Sequence, residues 1–310
     1  MQRAFLCWLL VVVSASDLSA QERPPIIDMH MHARTSASRG PDGMPAPVPC
    51  FPLGGCDLRP TIVETDEDVM RLALEAMDRN NIVLGVVTDA NLERVYQWAD
   101  ARPGGFLTGA AVFNVAGADT AALRVEFEAG RLQIMGEVGT QYQGFAANEP
   151  ENEQFFALAA DLGVPVLVHV EGIAGGSGTR PFRIADGHPE HLQDVVAKYP
   201  DLRVWIENAG YPFVDEAIAL MYRYPNVYAD LSTITWVIPR AEFYRYLERL
   251  MDAGLGKRLM WGSDQMSWPS TIDHALDAIR EAPFLSEEQK RDLLYNNAVE
   301  FLRLDRRPVG

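Results

Sequence analysis

Two histidines separated by one residue lie near the start of the chain. His30 and His32 end the apolar run Ile26–His32 (IIDMHMH). In a β-strand, residues i and i+2 face the same side and lie about 6–7 Å apart along the chain, so both imidazoles can bind one metal ion at a strand end. Asp28 has the same parity and would lie one layer deeper. The alternative is a pair of exposed histidines in a loop.

Further acidic, amide and imidazole side chains stand at the ends of later apolar segments. These residues are Glu137, His169, Glu171, Glu207, Asn208, Asp230 and Asp264. Burying polar groups costs free energy unless they are paired or bound to metal, so this distribution indicates a site rather than packing. Histidine and carboxylate ligands without cysteine favour Zn, Mn or Fe over soft metals. We interpret Asp230 as a structural hydrogen-bonding acid, and Glu171 and Glu207 as supporting or solvated groups rather than ligands.

The segments that must position these residues alternate between apolar runs and helical patterns. Strands are predicted at 26–32, 81–89, 106–113, 132–138, 164–170, 202–207, 226–231 and 258–263. Helices are predicted at 66–80, 91–101, 119–129, 151–162, 188–198, 213–224, 239–253 and 270–281. The strands are continuously apolar, as expected when both faces of a sheet are buried.

Eight β-α units in a chain of 310 residues predict an α/β fold, a (β/α)8 TIM barrel. A doubly wound open sheet is the alternative. The segment 286–304 is predicted to add one or two C-terminal helices. In a barrel the carboxyl ends of the strands meet at one mouth, which would bring the polar residues together.

The motifs at these strand ends resemble the amidohydrolase superfamily, and more closely its amidohydrolase-related branch. They are Asp28-Met29-His30-Met31-His32, Gly136-Glu137-Val138-Gly139, Val168-His169 and Gly262-Ser263-Asp264, with a similar C-terminal stretch, Asn296-Asn297-Ala298-Val299-Glu300-Phe301-Leu302. The resemblance covers nearly all of residues 25–305. It implies that His30, His32 and Asp264 bind a buried metal, that Asp264 is also the base, that Glu137 is a bridging ligand, and that His169 binds a second metal or polarises a substrate carbonyl.

One position departs from the family pattern. Family members commonly have histidine in the strand-6 motif HAG, whereas this chain has Asn208-Ala209-Gly210. An amide is a poor metal ligand and cannot act as an acid or base near neutral pH, although it can donate a hydrogen bond to a substrate oxygen. We therefore expect one tightly bound divalent ion, Zn before Mn or Fe, with His169 and Asn208 stabilising the developing oxyanion.

Three functions follow from this interpretation. The first is a metal-dependent hydrolase that uses activated water against an amide, ester or lactone of a small molecule. The second is a metal-dependent decarboxylase, because members of the same branch use the same ligands for C–C cleavage. The third is a catalytically silent binding protein that has lost activity at Asn208.

Composition narrows the class of partner. Of the residues, 48% are hydrophobic, which is ample for one large core, and the formal net charge is −16. That charge argues against non-specific binding to nucleic acid or to an anionic membrane, but acidity alone names no partner. A small-molecule substrate is the partner that the resemblance implies. Nothing in the sequence indicates an oligomeric state.

The N-terminal residues resemble a secretory signal. Arg3 precedes an apolar run at 4–13, and Ala20 is a plausible cleavage position, which predicts a signal peptide at 1–20, a single barrel domain at 21–310, and a secreted or periplasmic protein. Cleavage after Ser16 and an uncleaved anchor are the alternatives. Cys50 and Cys56 would remain after export, and we expect a disulfide between them, with free thiols as the alternative. The Pro- and Gly-rich stretch 33–62 is predicted to form a loop over the active site.

Overall fold

The structure, a computed structural model, describes residues 23–35, 63–172 and 183–304. Eight parallel strands form one sheet in the order β1-β2-β3-β4-β5-β6-β7-β8. The strands are β1 (Ile26–His32), β2 (Ile82–Asp89), β3 (Phe106–Val112), β4 (Ile134–Val138), β5 (Val166–Val168), β6 (Val204–Ile206), β7 (Val227–Asp230) and β8 (Leu259–Met260). The predicted barrel is thereby confirmed, and the open doubly wound sheet is excluded.

Helices follow the strands and cover the outside of the sheet. They are α1 (Asp66–Asn80), α2 (Leu92–Ala101), α3 (Thr120–Glu128), α4 (Glu153–Leu162), α5 (Leu192–Lys198), α6 (Val214–Arg223), α7 (Ile234–Val237), α8 (Arg240–Asp252), α9 (Thr271–Arg280), α10 (Glu287–Arg291) and α11 (Asn297–Leu302). Side-chain caps fix several starts, since Thr65, Asn91 and Asp119 accept backbone N–H groups at the first turns of α1, α2 and α3. Among the described residues, no helix is long and apolar enough to cross a membrane.

The structure differs from the predicted elements mainly at the strands after β4. Strand β8 has two residues where six were predicted, because residues 261–264 leave the sheet to approach β1. The short helix α7 between β7 and α8 was not predicted. The C-terminal segment forms α10 and α11, joined through a wider turn at Asp292–Asn296.

The barrel is nearly closed between β8 and β1. In the described part of the chain, strand pairing runs from β1–β2 to β7–β8 without a β8–β1 ladder. Instead, the Met29 N–H donates to the Trp261 carbonyl at 3.1 Å, and the Asp264 N–H donates to the His30 carbonyl at 2.8 Å. These two bonds hold the segment after β8 against the carboxyl end of β1.

The barrel interior is closed at its amino end by the C-terminal helix. Phe301 of α11 is 2% exposed and joins the cluster of side chains inside the barrel. Its ring lies 5.2 Å from Trp205 and 4.9 Å from Tyr228, measured between centroids. The C-terminal helix is therefore part of the core of the fold.

Replacing Phe301 with alanine is expected to destabilise the protein by about 3–5 kcal/mol, because the change leaves a cavity under the barrel. Urea denaturation followed by circular dichroism measures the loss. Val125, which is 59% exposed, offers the control, since Val125→Ala should change stability by less than about 0.5 kcal/mol. Equal effects of the two variants would contradict the role given to α11.

Candidate metal centre

The carboxyl end of β1 is fixed by the segment after β8. Asp28 Oδ1 accepts the N–H groups of His30 at 3.1 Å and of Ser263 at 2.9 Å. The Gln265 side chain pairs with the His32 backbone, donating to its carbonyl at 2.7 Å and accepting its N–H at 3.1 Å. Both histidines are therefore held on a rigid backbone, as a preformed ligand site requires.

Four side chains converge from β1, β4 and the segment after β8. His30 Nε2 and His32 Nε2 lie 3.2 Å apart. Glu137 Oε2 lies 3.4 Å from His32 Nε2 and 3.8 Å from His30 Nε2, and Asp264 Oδ1 lies 2.9 and 3.9 Å from the same two nitrogens. Ligand atoms around a tetrahedral zinc ion lie about 3.3 Å from one another. The spacing of this primary group (His30, His32, Glu137 and Asp264) fits one divalent ion.

The ring of His30 is oriented by groups that contact its Nδ1 atom. Its Nδ1 lies 3.3 Å from Asp230 Oδ2 and 3.1 Å from Ser232 Oγ. Asp230 is held in turn by the Trp205 indole N–H at 3.2 Å and the Asn208 backbone N–H at 3.0 Å. A hydrogen on Nδ1 leaves the Nε2 lone pair free for a metal, which is the usual arrangement of a carboxylate behind a metal-binding histidine. Asp230 thus has the geometry of the hydrogen-bonding acid predicted from the sequence.

A second set of ligand atoms lies beside the first. His169 Nδ1 is 2.6 Å from Glu137 Oε1 and 2.7 Å from Glu207 Oε2. One ring nitrogen carries at most one hydrogen, so it cannot satisfy both carboxylates. We call Glu137, His169 and Glu207 the second group. Glu137 has one oxygen toward each group, and a carboxylate oxygen of Glu207 also lies within 4.8 Å of ligand atoms of His30 and Asp264.

The carboxylates of the cluster strongly favour a positive charge beside them. Burial would lower the pKa of His30 and His169, yet the surrounding carboxylates raise both pKa values well above the ordinary range. Burial, with the charge of Glu137, raises the pKa of Glu207. In the described part of the chain, neither Glu137 nor Glu207 pairs with lysine or arginine. Protonated histidines are the cations that this cluster has of its own.

Two buried oxygens of the cluster lie close to imidazole nitrogens but form no hydrogen bond of regular geometry with them. They are Asp264 Oδ1 and Glu207 Oε2, in residues that are 2% and 1% exposed. An unsatisfied buried carboxylate oxygen is costly, and a bound cation removes that cost. The residues therefore fit a divalent metal ion.

The side chain of Asn208 is directed at neighbouring glutamates. Its amide N–H groups donate to Glu171 Oε2 at 2.8 Å and to Glu207 Oε1 at 3.1 Å, while its oxygen accepts the Ile234 N–H at 3.4 Å. It belongs to neither ligand group. Its predicted part in stabilising an oxyanion stays a prediction, and the position that the structure adds to the cluster from this turn is Glu207.

The sequence predicts Glu207 to be a supporting residue, because strand parity does not reveal the turn after β6. Residues 207–210 form a tight turn in which Asn208 and Ala209 have φ angles of 53° and 48°. Such left-handed conformations redirect successive side chains in a way that strand parity does not predict. The available signal was the position of Glu207 at the strand end.

The structure brings five predicted ligand residues together at the carboxyl ends of the strands. They are His30, His32, Glu137, His169 and Asp264, each at most 3% exposed. Tyr142 adds a hydroxyl 3.1 Å from His169 Nε2, and Glu171 Oε1 lies 3.1 Å from the same nitrogen. Cys50, Cys56, the signal segment 1–20 and most of the loop 33–62 lie outside the described residues, so the structure does not test those predictions.

Replacing Gly136 with alanine is expected to remove most of the bound metal. Gly136 has a φ of 125°, and a Cβ there would lie 2.4 Å from the Leu167 carbonyl oxygen, so β4 must shift and carry Glu137 with it. Gly130 supplies a matched control, because its φ is 73° with no atom within 4 Å of the added carbon. Elemental analysis should show metal lost from Gly136→Ala and kept by Gly130→Ala. Full occupancy in both would contradict the expected displacement of Glu137.

Comparison with known proteins places this cluster in a family context. The model of a protein family described as "Amidohydrolase" matches residues 27–304. Protein fluG of Emericella nidulans is 27% identical over 128 residues, which are 41% of this chain. The chain covers 14% of the length of that relative.

Solved structures share the fold at low sequence identity. A probable 2-pyrone-4,6-dicarboxylic acid hydrolase from Acinetobacter baumannii, with citric acid bound, is 14% identical with a TM-score of 0.59, covering 90% of this chain and 100% of its own. A dihydroxybenzoic acid decarboxylase from Polaromonas sp. JS666, with bound manganese and an inhibitor, is 15% identical with a TM-score of 0.60, covering 91% of this chain and 98% of its own.

Proposed function

The chain belongs to the amidohydrolase family, and on that premise we propose that it is a metal-dependent hydrolase of an amide, ester or lactone bond in a small molecule. The observation that carries the proposal is the primary group, in which the two imidazole nitrogens lie 3.2 Å apart and each lies 2.9–3.9 Å from a carboxylate oxygen of Glu137 and of Asp264. Its ligand atoms are buried, rigidly held and rich in negative charge, which suits a tightly bound divalent ion.

The metal is proposed to be a single tightly bound zinc ion. His30, His32, Glu137 and Asp264 would hold it, and the second group would hold a further ion more weakly. Nitrogen and carboxylate ligands suit zinc, with Mn and Fe as the alternatives. A divalent ion bound there lowers the pKa of water and polarises a substrate carbonyl.

Asp264 is the proposed base. Burial raises its pKa, but the nearby His30 and His32 outweigh burial and lower the pKa to about 2, so the carboxylate is ionised at neutral pH. One oxygen accepts the Thr233 hydroxyl, which orients the group, and Oδ1 lies 2.9 Å from His32 Nε2, on the side of the primary group where a proton from water would be accepted. The same carboxyl can return that proton to the leaving group.

His169 and Tyr142 are proposed to face the substrate oxygen. The Tyr142 hydroxyl lies 3.1 Å from His169 Nε2, and their ring centroids are 4.6 Å apart. Both can donate a hydrogen bond, and donors fixed before reaction stabilise charge that develops on an oxygen. Asn208 supports this arrangement indirectly through its hydrogen bond to Glu171, which contacts the His169 ring.

Decarboxylation is the second candidate, because both hydrolases and decarboxylases share this fold. The position of Asp264 favours hydrolysis: its carboxylate, beside His32, supplies the acceptor that a hydrolase needs for a proton from water, whereas a decarboxylase must deliver a proton to carbon. The preference for hydrolysis rests on this one group.

A panel of lactones, esters, amides and aromatic carboxylates, assayed with the zinc-loaded protein, tests the reaction class. We expect acid release from one of the first three classes, measured at constant pH, without release of carbon dioxide. Carbon dioxide from a carboxylate would instead assign a lyase. A silent binding protein would give neither product, and His30→Ala would then change no measured turnover.

We also propose that the protein is exported, and this proposal rests on residues 1–20 alone. The mature protein is expected to begin at Gln21 and to contain the Cys50–Cys56 disulfide. N-terminal sequencing of protein recovered outside the cytoplasm, with mass spectrometry before and after reduction, tests both features. An intact Met1 on the recovered protein would contradict cleavage.

A further inference from the structure

A pocket of about 410 Å³ lies at the opposite end of the barrel from the metal centre. It is formed where the chain enters β1 and where α9, α10 and the turn after α10 pack beneath the sheet. Four cationic side chains line it, namely Arg23, Arg280, Lys290 and Arg291. Its volume is within the range of small-molecule sites, which is about 300–1,000 Å³.

The three arginines are positioned by uncharged oxygens. Arg280 Nη1 donates to the Asn80 side-chain oxygen at 3.0 Å. Arg23 donates to the Arg79 carbonyl, and Arg291 to the Pro25 carbonyl. A guanidinium has five N–H groups. An arginine that uses one of them in an orienting hydrogen bond therefore keeps donors for a ligand.

Negative charge around the pocket is sparse. In the described part of the chain, its one lining carboxylate is Glu287, whose side chain is 90% exposed and which pairs with Lys290 at 2.9 Å. Asp277 lies 3.9 Å from Arg280, and no carboxylate of a described residue lies within 4.0 Å of Arg23 or Arg291. The chain as a whole has 43 acidic and 27 basic residues, so this group of cations is opposite in sign to the net charge of the chain.

The cations are also partly removed from water. The side chains of Arg280 and Lys290 are 35% and 17% exposed. Burial lowers the pKa of Arg280 and outweighs the nearby charges of Asp277 and Asp273, while Arg23 adds to the lowering. Burial also lowers the pKa of Arg291. Arg23 and Arg291 have no carboxylate of a described residue within 4.0 Å, and a bound anion would offset the cost of placing these positive charges together in the pocket.

We propose that this pocket binds a small oxyanion with two negative charges, either a phosphate group or a dicarboxylate. Arginine forks match the oxygen pairs of both classes, and the charge balance of four cations to one exposed carboxylate favours a dianion. The pocket begins at Ile26 and the metal ligands end at His32, a separation of roughly 20 Å along β1. The site is therefore distinct from the metal centre and does not rest on the proposed reaction.

Isothermal titration of the purified protein with inorganic phosphate and, separately, with succinate tests the site. One or both should bind at one equivalent, and the neutral analogue succinamide should not. Arg280→Met should weaken binding roughly tenfold or more, since it removes a charge-assisted hydrogen-bond donor. Arg245→Met is the matched control, because Arg245 is 67% exposed, paired with Glu242 and absent from the pocket.

Lys290→Gln provides a second variant on the rim of the pocket and should also weaken binding, even if Arg280→Met fails to fold. Stronger binding of phosphate than of succinate would assign a phosphorylated ligand, and the reverse a dicarboxylate. The proposal is overturned if neither anion binds with a dissociation constant below about 10 mM. It is equally overturned if the Arg280 and Lys290 variants bind the anions as tightly as Arg245→Met does.

Discussion

Replacing Asp264 with asparagine is expected to lower the turnover number roughly 10³-fold, in the middle of the range for loss of a general base. The two side chains are nearly equal in size, and an amide oxygen can still accept the Thr233 hydroxyl. What is lost is the negative charge 2.9 Å from His32 Nε2 and the ability to accept a proton. The measurement is turnover of the substrate identified in the panel, with metal content determined on the same sample.

A buried acid at the other end of the barrel provides the control for this variant. Asp292 is 5% exposed and pairs with Lys257, far from the ligand groups. Asp292→Asn makes the same chemical change and should leave turnover within about twofold, the scale of an effect far from the chemistry. If metal-loaded Asp264→Asn retains a large share of activity, the proton acceptor lies elsewhere and the proposed role of Asp264 is wrong.

Replacing His32 or His169 with asparagine is expected to separate the two ligand groups. His32 contributes to the primary group alone and His169 to the second group alone. His32→Asn should weaken metal binding more than about 100-fold, because changes to residues that merely support a ligand already cost about 10–100-fold. His169→Asn should keep the tightly bound ion and reduce turnover.

Competition with a chromophoric chelator, followed by elemental analysis, measures both affinities. The two variants are matched, since each removes one imidazole that is 2–3% exposed from the same cluster. Equal loss of metal from both would show that the groups form one site that binds as a unit. Loss of the tight ion from His169→Asn alone would reverse the assignment of primary and second groups.

The sequence predicted the architecture well because long apolar runs and helical periodicity repeat eight times. Ile26–His32 and Asp66–Asn80 were predicted with the bounds that the structure shows. The strand ends were harder: hydrophobicity continues through Trp261, although Leu259–Met260 is the whole of β8. Burial makes those residues apolar whether or not they pair in the sheet, so composition cannot reveal where pairing ends.

The site was predictable where strand parity applies and obscure where a turn intervenes. His30 and His32 share a face because they lie within a regular strand, and the structure brings their Nε2 atoms within 3.2 Å. Glu207 and Asn208 lie in a turn with positive φ angles, and there the order of residues does not reveal which side chain faces the cluster. The resemblance drew attention to Asn208, whereas the geometry gives Glu207 the contact with His169.

A metal ion bound at the primary group would also link the two edges of the barrel at the gap between β8 and β1. Two backbone hydrogen bonds cross that gap, and the primary ligands stand on both sides of it, with His30 and His32 on β1 and Asp264 beyond β8. An ion held by all three would link β1 to the segment after β8 and so stabilise the closed barrel. Chelation should then accelerate amide hydrogen exchange at Met29 and Asp264, while amides between β2 and β3 keep their protection.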